Sequence, residues 1–430
     1  MRGRTLNTIV DTLEVLGDIQ ITIHPERCVK VRNRNASCTR CLDICPHEAL
    51  TLNDNILEID ASRCIECAIC TTVCPTSALE AQQPNDNEIL QKSMRILETK
   101  DTPPVFACKP LLAVLQGGYD TSRVIELSCL GRLDESTVIA LAALGAQQLY
   151  LAFGPCDTCE IALGRSVSDE VLLTLSTLFD AWGLENPLIV STELPGFVTL
   201  HESDSLLSED EDGLSRREFF TQLKVGVQDA TVQAASTMLR TPQPVSKTPR
   251  KTFVKVMQDG TLPHFIPNRR ELLLDYLEQI GEVQEDFIDT RLWGMLTIDQ
   301  STCNSCRMCA TFCPTGAIVK YDDPANCADG GPSIGSTVSS TVDSAVSSMG
   351  IEHYPADCVQ CRLCEDICPS KSVHVDSRVS TKSLLEGEII RYPMKAPRYR
   401  YNQPDQIYRR MYDLLGGGQI YEYGGNNSAL

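Results

Sequence analysis

Between residues 103 and 200, short apolar runs alternate with a longer stretch that has helical periodicity. The runs RVIELS and QQLYLAF each predict a strand, the first leading into Cys129 and the second into Cys156. Between them, DESTVIALAALG predicts a helix that begins after Asp134 or Ser136 and stops at its final glycine. This order indicates a small parallel sheet, and both cysteines would lie at its carboxyl edge, where open α/β sheets place their sites.

The following stretch, residues 203–291, changes character. It opens with an acidic spacer, ESDSLLSEDEDG, and continues with two helical patterns. LSRREFFTQLK has a capping-box pattern at its start. NRRELLLDYLEQIG predicts a helix with Asn268 as the N-cap and Gly281 as the stop. We therefore expect a helical connector here.

Apolar, β-leaning residues also flank four runs of cysteines, so each run predicts the order strand, loop, helix, strand. Three runs share the spacing C-x2-C-x2-C-x3-C, and a proline follows the last cysteine. In the first run a nine-residue insert, VKVRNRNAS, separates Cys28 from Cys38. Because proline suits the first turn of a helix, we expect a helical turn after each final cysteine.

This spacing is typical of the ligands of a cubic [4Fe–4S] cluster. Three close cysteines wrap one face of the cluster, and the fourth, before the proline, ligates the neighbouring cluster. Each pair of runs therefore predicts two clusters with crossed ligands. The expected sets are Cys28, Cys38, Cys41 and Cys74; Cys64, Cys67, Cys70 and Cys45; Cys303, Cys306, Cys309 and Cys368; and Cys358, Cys361, Cys364 and Cys313.

Each pair of runs resembles the bacterial two-cluster ferredoxin, over residues 20–82 and 292–378. The alternative is zinc, since paired C-x2-C elements also make zinc ribbons, but a zinc site needs no third cysteine and proline in each run. The insert carries Lys30, Arg32 and Arg34. It is either a solvated basic loop or a patch that tunes a cluster or meets an acidic partner.

Four further cysteines lie in the middle region, within the stretches FAC, CLGRLD and GPCDTC: Cys108, Cys129, Cys156 and Cys159. These stretches resemble the delta subunit of methyl-viologen-reducing hydrogenases, the small iron–sulfur subunit that links hydrogenase to heterodisulfide reductase. The resemblance implies a [2Fe–2S] cluster with these four ligands. Structural zinc and a redox-active Cys156–Cys159 pair are the alternatives.

Composition narrows the class of protein. The net charge of −19, from 57 acidic and 38 basic residues, argues against nucleic-acid binding. The 21 cysteines are clustered, and we find no secretory signal and no apolar stretch long enough for a membrane span. We therefore expect a cytoplasmic metal-binding chain rather than a disulfide framework. Cys327, beside a Ser/Gly-rich insert, has no place in the ligand sets and is expected to be a free thiol.

The cubic clusters would have four cysteine ligands each and no open iron, and no substrate-binding motif stands out. We therefore expect an electron-transfer protein or subunit with four [4Fe–4S] clusters and one [2Fe–2S] cluster, without a substrate site of its own. Expected partners are a formate dehydrogenase, a hydrogenase or a heterodisulfide-reductase-like enzyme. The alternative is an accessory or maturation factor for such an enzyme, which an internal export-like stretch, SRREFF, would suit. Oligomeric state, reduction potentials and the direction of electron flow stay open.

The expected fold class is a multidomain α+β and α/β chain, in which two ferredoxin-like domains flank a small parallel-sheet domain. The predicted parts are a ferredoxin-like domain at 20–82, a hydrogenase-delta-like α/β domain at 103–200, the connector at 203–291, a second ferredoxin-like domain at 292–378, and a Tyr/Arg-rich tail at 379–430. The tail would dock onto a partner or back onto the ferredoxin-like parts.

Overall fold

The computed structural model describes residues 20–99, 102–199, 261–322 and 349–394. The elements below all belong to one compact unit. The predictions for the acidic spacer, the LSRREFFTQLK helix, Cys327 and most of the Ser/Gly-rich insert lie outside the described residues.

The first ferredoxin-like part consists of two small antiparallel sheets and three single-turn helices. The sheets pair β1 with β4 and β2 with β3. The core between them is formed by alternate apolar side chains of the strands, such as Leu50, Leu57 and Leu79. The elements are β1 Ile21–Ile23, α1 Val29–Arg32, α2 Arg40–Asp43, β2 Leu50–Asn53, β3 Ile56–Ile59, α3 Ile69–Val73 and β4 Leu79–Ala81.

The predicted order of strand, loop, helix and strand is confirmed, but the helical turn lies before the last cysteine rather than after the proline. Helix α3 ends at Val73, and the residues after Cys74 form a turn that leads into β4. The backbone N–H of Ala78 donates to the sulfur of Cys74 at 3.2 Å. This amide faces the cysteine because few residues separate the proline from the strand.

The middle region forms a four-stranded parallel sheet in the order β6-β5-β7-β8. Both predicted strands are present, as β6 and β7, and the predicted helix between them is α6. Asp134 directly precedes this helix, and Gly145 follows it with φ +97°. The elements are α4 Asp86–Thr99, β5 Val105–Cys108, α5 Lys109–Val114, β6 Val124–Leu127, α6 Glu135–Ala143, β7 Leu149–Ala152, α7 Leu163–Ala181 and β8 Leu188–Ser191.

The second ferredoxin-like part repeats the pattern of the first. It pairs β10 with β13 and β11 with β12, and adds the pair β9 with β14. The elements are α8 Asn268–Ile280, β9 Phe287–Asp289, β10 Met295–Ile298, α9 Met308–Phe312, β11 Ile318–Asp322, β12 Met349–His353, α10 Leu363–Asp366, β13 Val373–Asp376, β14 Arg378–Ser380, α11 Thr381–Leu385 and β15 Ile390–Pro393.

Two details refine the predictions for this half of the chain. Asn268 is the first helical residue of α8 and is not its N-cap, because Pro267 occupies the preceding position. The beginning of the predicted tail folds back, since β15 pairs with β12. Within the described ranges, no helix has both the length and the apolar character that a membrane crossing requires.

Candidate functional site

The cysteines of the four runs surround cavities in crossed groups. Three cavities are each lined by four cysteines, of which one comes from the paired run. The groups at these cavities are Cys28, Cys38, Cys41 and Cys74; Cys45, Cys64, Cys67 and Cys70; and Cys303, Cys306, Cys309 and Cys368. Among the described residues, no three His, Cys, Asp or Glu side chains converge on a single metal-ion position.

The fourth group is seen in the electrostatics of its thiols. Burial is the main cause that raises the pKa of Cys361, and repulsion from Cys313 and Cys358 raises it further. The same effects act on Cys364. Cys313, Cys358 and Cys364 also belong to one apolar core cluster, so the two runs meet there.

Burial disfavours the ionised form of most of these thiols. It raises the pKa of Cys28 and Cys67 to about 11, and neighbouring cysteines add to the rise. Cys368 is different, because hydrogen bonds from Ser370 and Ser372 outweigh its burial and lower its pKa. Thiolate groups of this kind need a bound metal to supply positive charge. Four cysteines around one buried cavity are the donor set that a [4Fe–4S] cluster requires, so the residues fit this group.

The three intact loops share a backbone signature. In each, the residue before the second cysteine and the residue after it have positive φ, as with Glu66 at 54° and Ala68 at 58°. The equivalent pairs are Ser305 and Arg307, and Gln360 and Arg362. Such left-handed positions turn backbone N–H groups toward a common concavity that suits an anionic group. The first loop, which carries the insert, lacks this pair, because neither Ser37 nor Thr39 has a positive φ.

The middle four cysteines also come together. Cys108 ends β5, while Cys129 and Cys156 follow the neighbouring strands β6 and β7. Burial raises the pKa of Cys129 to about 12, and repulsion from Cys67, Cys108 and Cys156 adds to it. A side chain at Gly164 would place its Cβ only 2.2 Å from the Cys129 sulfur, so this cysteine requires glycine beside it.

The middle group lies next to the first ferredoxin-like part. Cys67 and Ile69 pack against Ile161, together with Cys129 and Cys159. A second apolar cluster joins the two ferredoxin-like parts and includes Cys38 and Cys361 at its edge. The five cysteine groups are therefore linked by packed side chains and are not scattered over separate bodies.

The sequence predicts either a solvated loop or a basic patch for the insert in the first loop, and the burial of its residues differs. Arg34 is exposed, whereas Arg32 is only 5% exposed. Sequence reasoning missed this burial, because the alternation of Val29 and Val31 with the basic residues indicates an exposed arginine.

An ionic network of mostly buried side chains, also not predicted, joins the first ferredoxin-like part, the middle region and helix α8. Asp86 accepts hydrogen bonds from Arg132 of the middle region and from Arg269 of helix α8. Arg269 also lies 3.2 Å from Asp134 and donates to the Thr71 carbonyl at 3.1 Å. Burial alone would lower the pKa of Arg269, but the adjacent carboxylates raise it above its ordinary value.

His353 is a fully buried histidine on β12. Its cross-strand partner Ile318 and its same-face neighbour Ile351 belong to the core that contains Cys309 and Cys364. Within the described part of the chain, neither ring nitrogen of His353 has a hydrogen-bond partner. Burial lowers its pKa from 6.5 to about 4.

This shift predicts a pH-dependent stability. Between pH 6.5 and 4 the unfolded chain binds a proton at His353 that the folded chain does not, so stability should fall as the pH drops through this window. The loss is up to roughly 3 kcal/mol. The His353→Leu variant should lose correspondingly less, which anaerobic melting temperatures at pH 7 and pH 4.5 would measure. Parallel losses in both proteins would contradict the assignment.

Comparison with known proteins gives three matches to family models. Residues 34–78 match the 4Fe-4S dicluster domain, and residues 296–319 and 355–376 each match a 4Fe-4S binding domain. All the cysteines of the four runs except Cys28 fall inside these ranges, and the middle four fall outside them.

Two of the proteins to which this chain is similar are ferredoxins. A ferredoxin of Rickettsia felis is 28% identical over 87 residues, which cover 20% of this chain and 75% of the relative. An uncharacterized ferredoxin of Methanocaldococcus jannaschii is 35% identical over 71 residues, covering 16% of this chain and 44% of the relative. An isethionate sulfite-lyase activating enzyme of Desulfovibrio desulfuricans is 37% identical over 62 residues, covering 14% and 19%. The chain thus spans less than half the length of each of the last two relatives.

Matched domains, ferredoxin relatives and cysteine-lined cavities together define the class. The chain is an iron–sulfur, ferredoxin-like electron-transfer protein with several 4Fe-4S domains.

Proposed function

We propose that this protein relays single electrons through five clusters within a cytoplasmic redox complex. Four would be [4Fe–4S] clusters, each held by one of the four crossed cysteine groups. The observation that carries the proposal is that each of the three cysteine-lined cavities includes a fourth cysteine from the paired run. Bound there, an iron–sulfur cluster supplies reversible one-electron chemistry.

The middle region would hold the fifth cluster. By the resemblance to the hydrogenase delta subunit, Cys108, Cys129, Cys156 and Cys159 are its proposed ligands and [2Fe–2S] its type. Cys108 ends β5, Cys129 and Cys156 follow the adjacent parallel strands β6 and β7, and Cys156 and Cys159 are partly exposed. A partly exposed site at the carboxyl ends of parallel strands is suitable for contact with a redox partner.

Apolar side chains of this protein pack between the proposed cluster sites. Ile161, Ile69 and Cys67 fill the space between the middle group and the first ferredoxin-like part. Val29, Phe312 and Leu363 do the same between the two ferredoxin-like parts. This packing supports a continuous route from the middle region through the first part to the second.

The proposed partners are a formate dehydrogenase, a hydrogenase or a heterodisulfide-reductase-like enzyme. The similarity to an activating enzyme covers 19% of that enzyme and does not by itself favour an accessory role. Anaerobic pull-down from the native host separates the two functions. A relay subunit should co-purify stoichiometrically with a mature redox enzyme, whereas binding to the unfolded or cofactor-free precursor alone would support a maturation factor.

Metal analysis tests the cluster content. Protein purified without oxygen should contain about 18 iron atoms per chain and a matching amount of acid-labile sulfide. The double variant Cys156→Ala/Cys159→Ala should lose about two irons and keep the rest, since the other groups share no cysteine with the middle one. Stoichiometric zinc with little sulfide would contradict the proposal, and zinc confined to the middle group would contradict the fifth cluster.

A further inference from the structure

Arg32 belongs to the first ferredoxin-like part but makes hydrogen bonds in the second. Its Nε donates to the carbonyl of Phe312 at 3.2 Å, and its Nη2 donates to the carbonyl of Cys313 at 3.1 Å. Its Nη1 donates to Pro263 and Glu26 carbonyls, each at 2.8 Å. Four backbone carbonyls from three separate segments thus surround one guanidinium.

The rest of the insert lies along the same boundary. Val29 and Ala36 pack against Phe312 and Leu363 of the second part. The backbone N–H and the hydroxyl of Ser37 both donate to the carboxylate of Asp366, at 2.6 Å and 2.9 Å. The insert that displaces Cys28 from the usual spacing therefore forms the contact between the two ferredoxin-like parts.

The position of Arg32 relative to the cysteines gives it an electrostatic role. The carbonyl that it contacts belongs to Cys313, whose sulfur lies with those of Cys358 and Cys361. Together with Cys364, these cysteines would hold a cluster whose reduction adds one negative charge at this position. A nearby buried cation favours that more negative, reduced form, because a charge is poorly screened where water is excluded.

We propose that Arg32 is a positioning residue that joins the two ferredoxin-like parts and raises the reduction potential of the cluster held by Cys313, Cys358, Cys361 and Cys364. The proposal rests on the proposed function, since it requires a cluster at that group. It deepens that function by naming a residue of the first part whose charge acts on a cluster of the second part.

The test is a redox titration of the full chain, followed by electron paramagnetic resonance, with dithionite and artificial mediators as the electron source. The signal of this cluster is assigned by its loss in Cys361→Ala. In Arg32→Met, the ratio of reduced to oxidised cluster at a fixed potential should fall about tenfold, which is 59 mV for one electron. Arg34→Met is the matched control, because it removes the same charge from an exposed position of the same insert. Its ratio should change by less than about twofold.

Two further variants separate charge from hydrogen bonding and cover a failure of Arg32→Met to fold. Arg32→Gln keeps a donor without the charge and should resemble Arg32→Met. Arg32→Lys keeps the charge and should stay near the wild type. Unchanged ratios in the uncharged variants, or an equal shift in Arg34→Met, would overturn the proposal.

Iron content distinguishes this failure from that of the proposed function. If the wild type lacks iron at the Cys358 group, the proposed function is wrong there. If the iron is present in every variant and the potentials do not move, only the role of Arg32 is wrong.

Discussion

Cys45→Ala should remove the proposed cluster of Cys64, Cys67 and Cys70. The proposed cluster of its own run, held by Cys28, Cys38, Cys41 and Cys74, should stay in place. The reason is that Cys45 lies at the cavity of that other run, whereas Cys74 completes the cavity of the first run. Loss of a ligand exposes an iron and destabilises the cluster. Anaerobically reconstituted Cys45→Ala should therefore contain about four irons fewer than the wild type.

Double variants make the test independent of signal assignment. If Cys45 and Cys67 serve one cluster, Cys45→Ala/Cys67→Ala should lose no more iron than either single variant. Cys45→Ala/Cys41→Ala should lose about eight irons, because the two residues would serve different clusters. The reverse result, with the Cys41 pair non-additive and the Cys67 pair additive, would show that each run holds its own cluster.

Arg269→Met should lower the free energy of unfolding by about 3–5 kcal/mol. The guanidinium pairs with Asp86 and lies beside Asp134, whose side chain is only 7% exposed. Methionine would leave that carboxylate buried without this cation, and the Thr71 carbonyl would lose its donor. An anaerobic thermal scan should show a melting temperature lower by several degrees.

The control for this prediction is Lys382→Met. Its pair with Glu386 is a 3.7 Å helical i,i+4 contact in which both side chains are about two-thirds exposed. Such a pair contributes about 0.5 kcal/mol or less. Equal melting temperatures for the two variants would mean that the network at Arg269 contributes no more than a surface ion pair.

Local pattern was sufficient for much of the fold. The runs before Cys129 and Cys156 lie in strands of a parallel sheet, and DESTVIALAALG forms the helix between them, because alternation and capping act over a few residues. Spacing also predicts crossed ligand sets, since the fourth cysteine of such a run serves the neighbouring cluster in two-cluster ferredoxins. In the structure, three of these groups of four cysteines each line one cavity.

Local pattern was misleading where a short segment has two options. Proline after the last cysteine is compatible with a new helix, yet the chain enters a strand at once, as at Leu79. Asn268 is a good N-cap residue, yet Pro267 occupies that position. In both cases the neighbouring strand or helix, and not the propensity of the residue, decides the conformation.

The contacts between parts could not be read from the sequence at all. Arg32 and Cys313 are 281 residues apart, and Asp86 and Arg269 are 183 apart. Short-range periodicity carries no information about such pairs, because they depend on how the folded helices and strands pack against one another. Cysteine spacing therefore predicts what the chain binds, while the folded packing alone determines which site lies next to which and that the charge of Arg32 is buried between them.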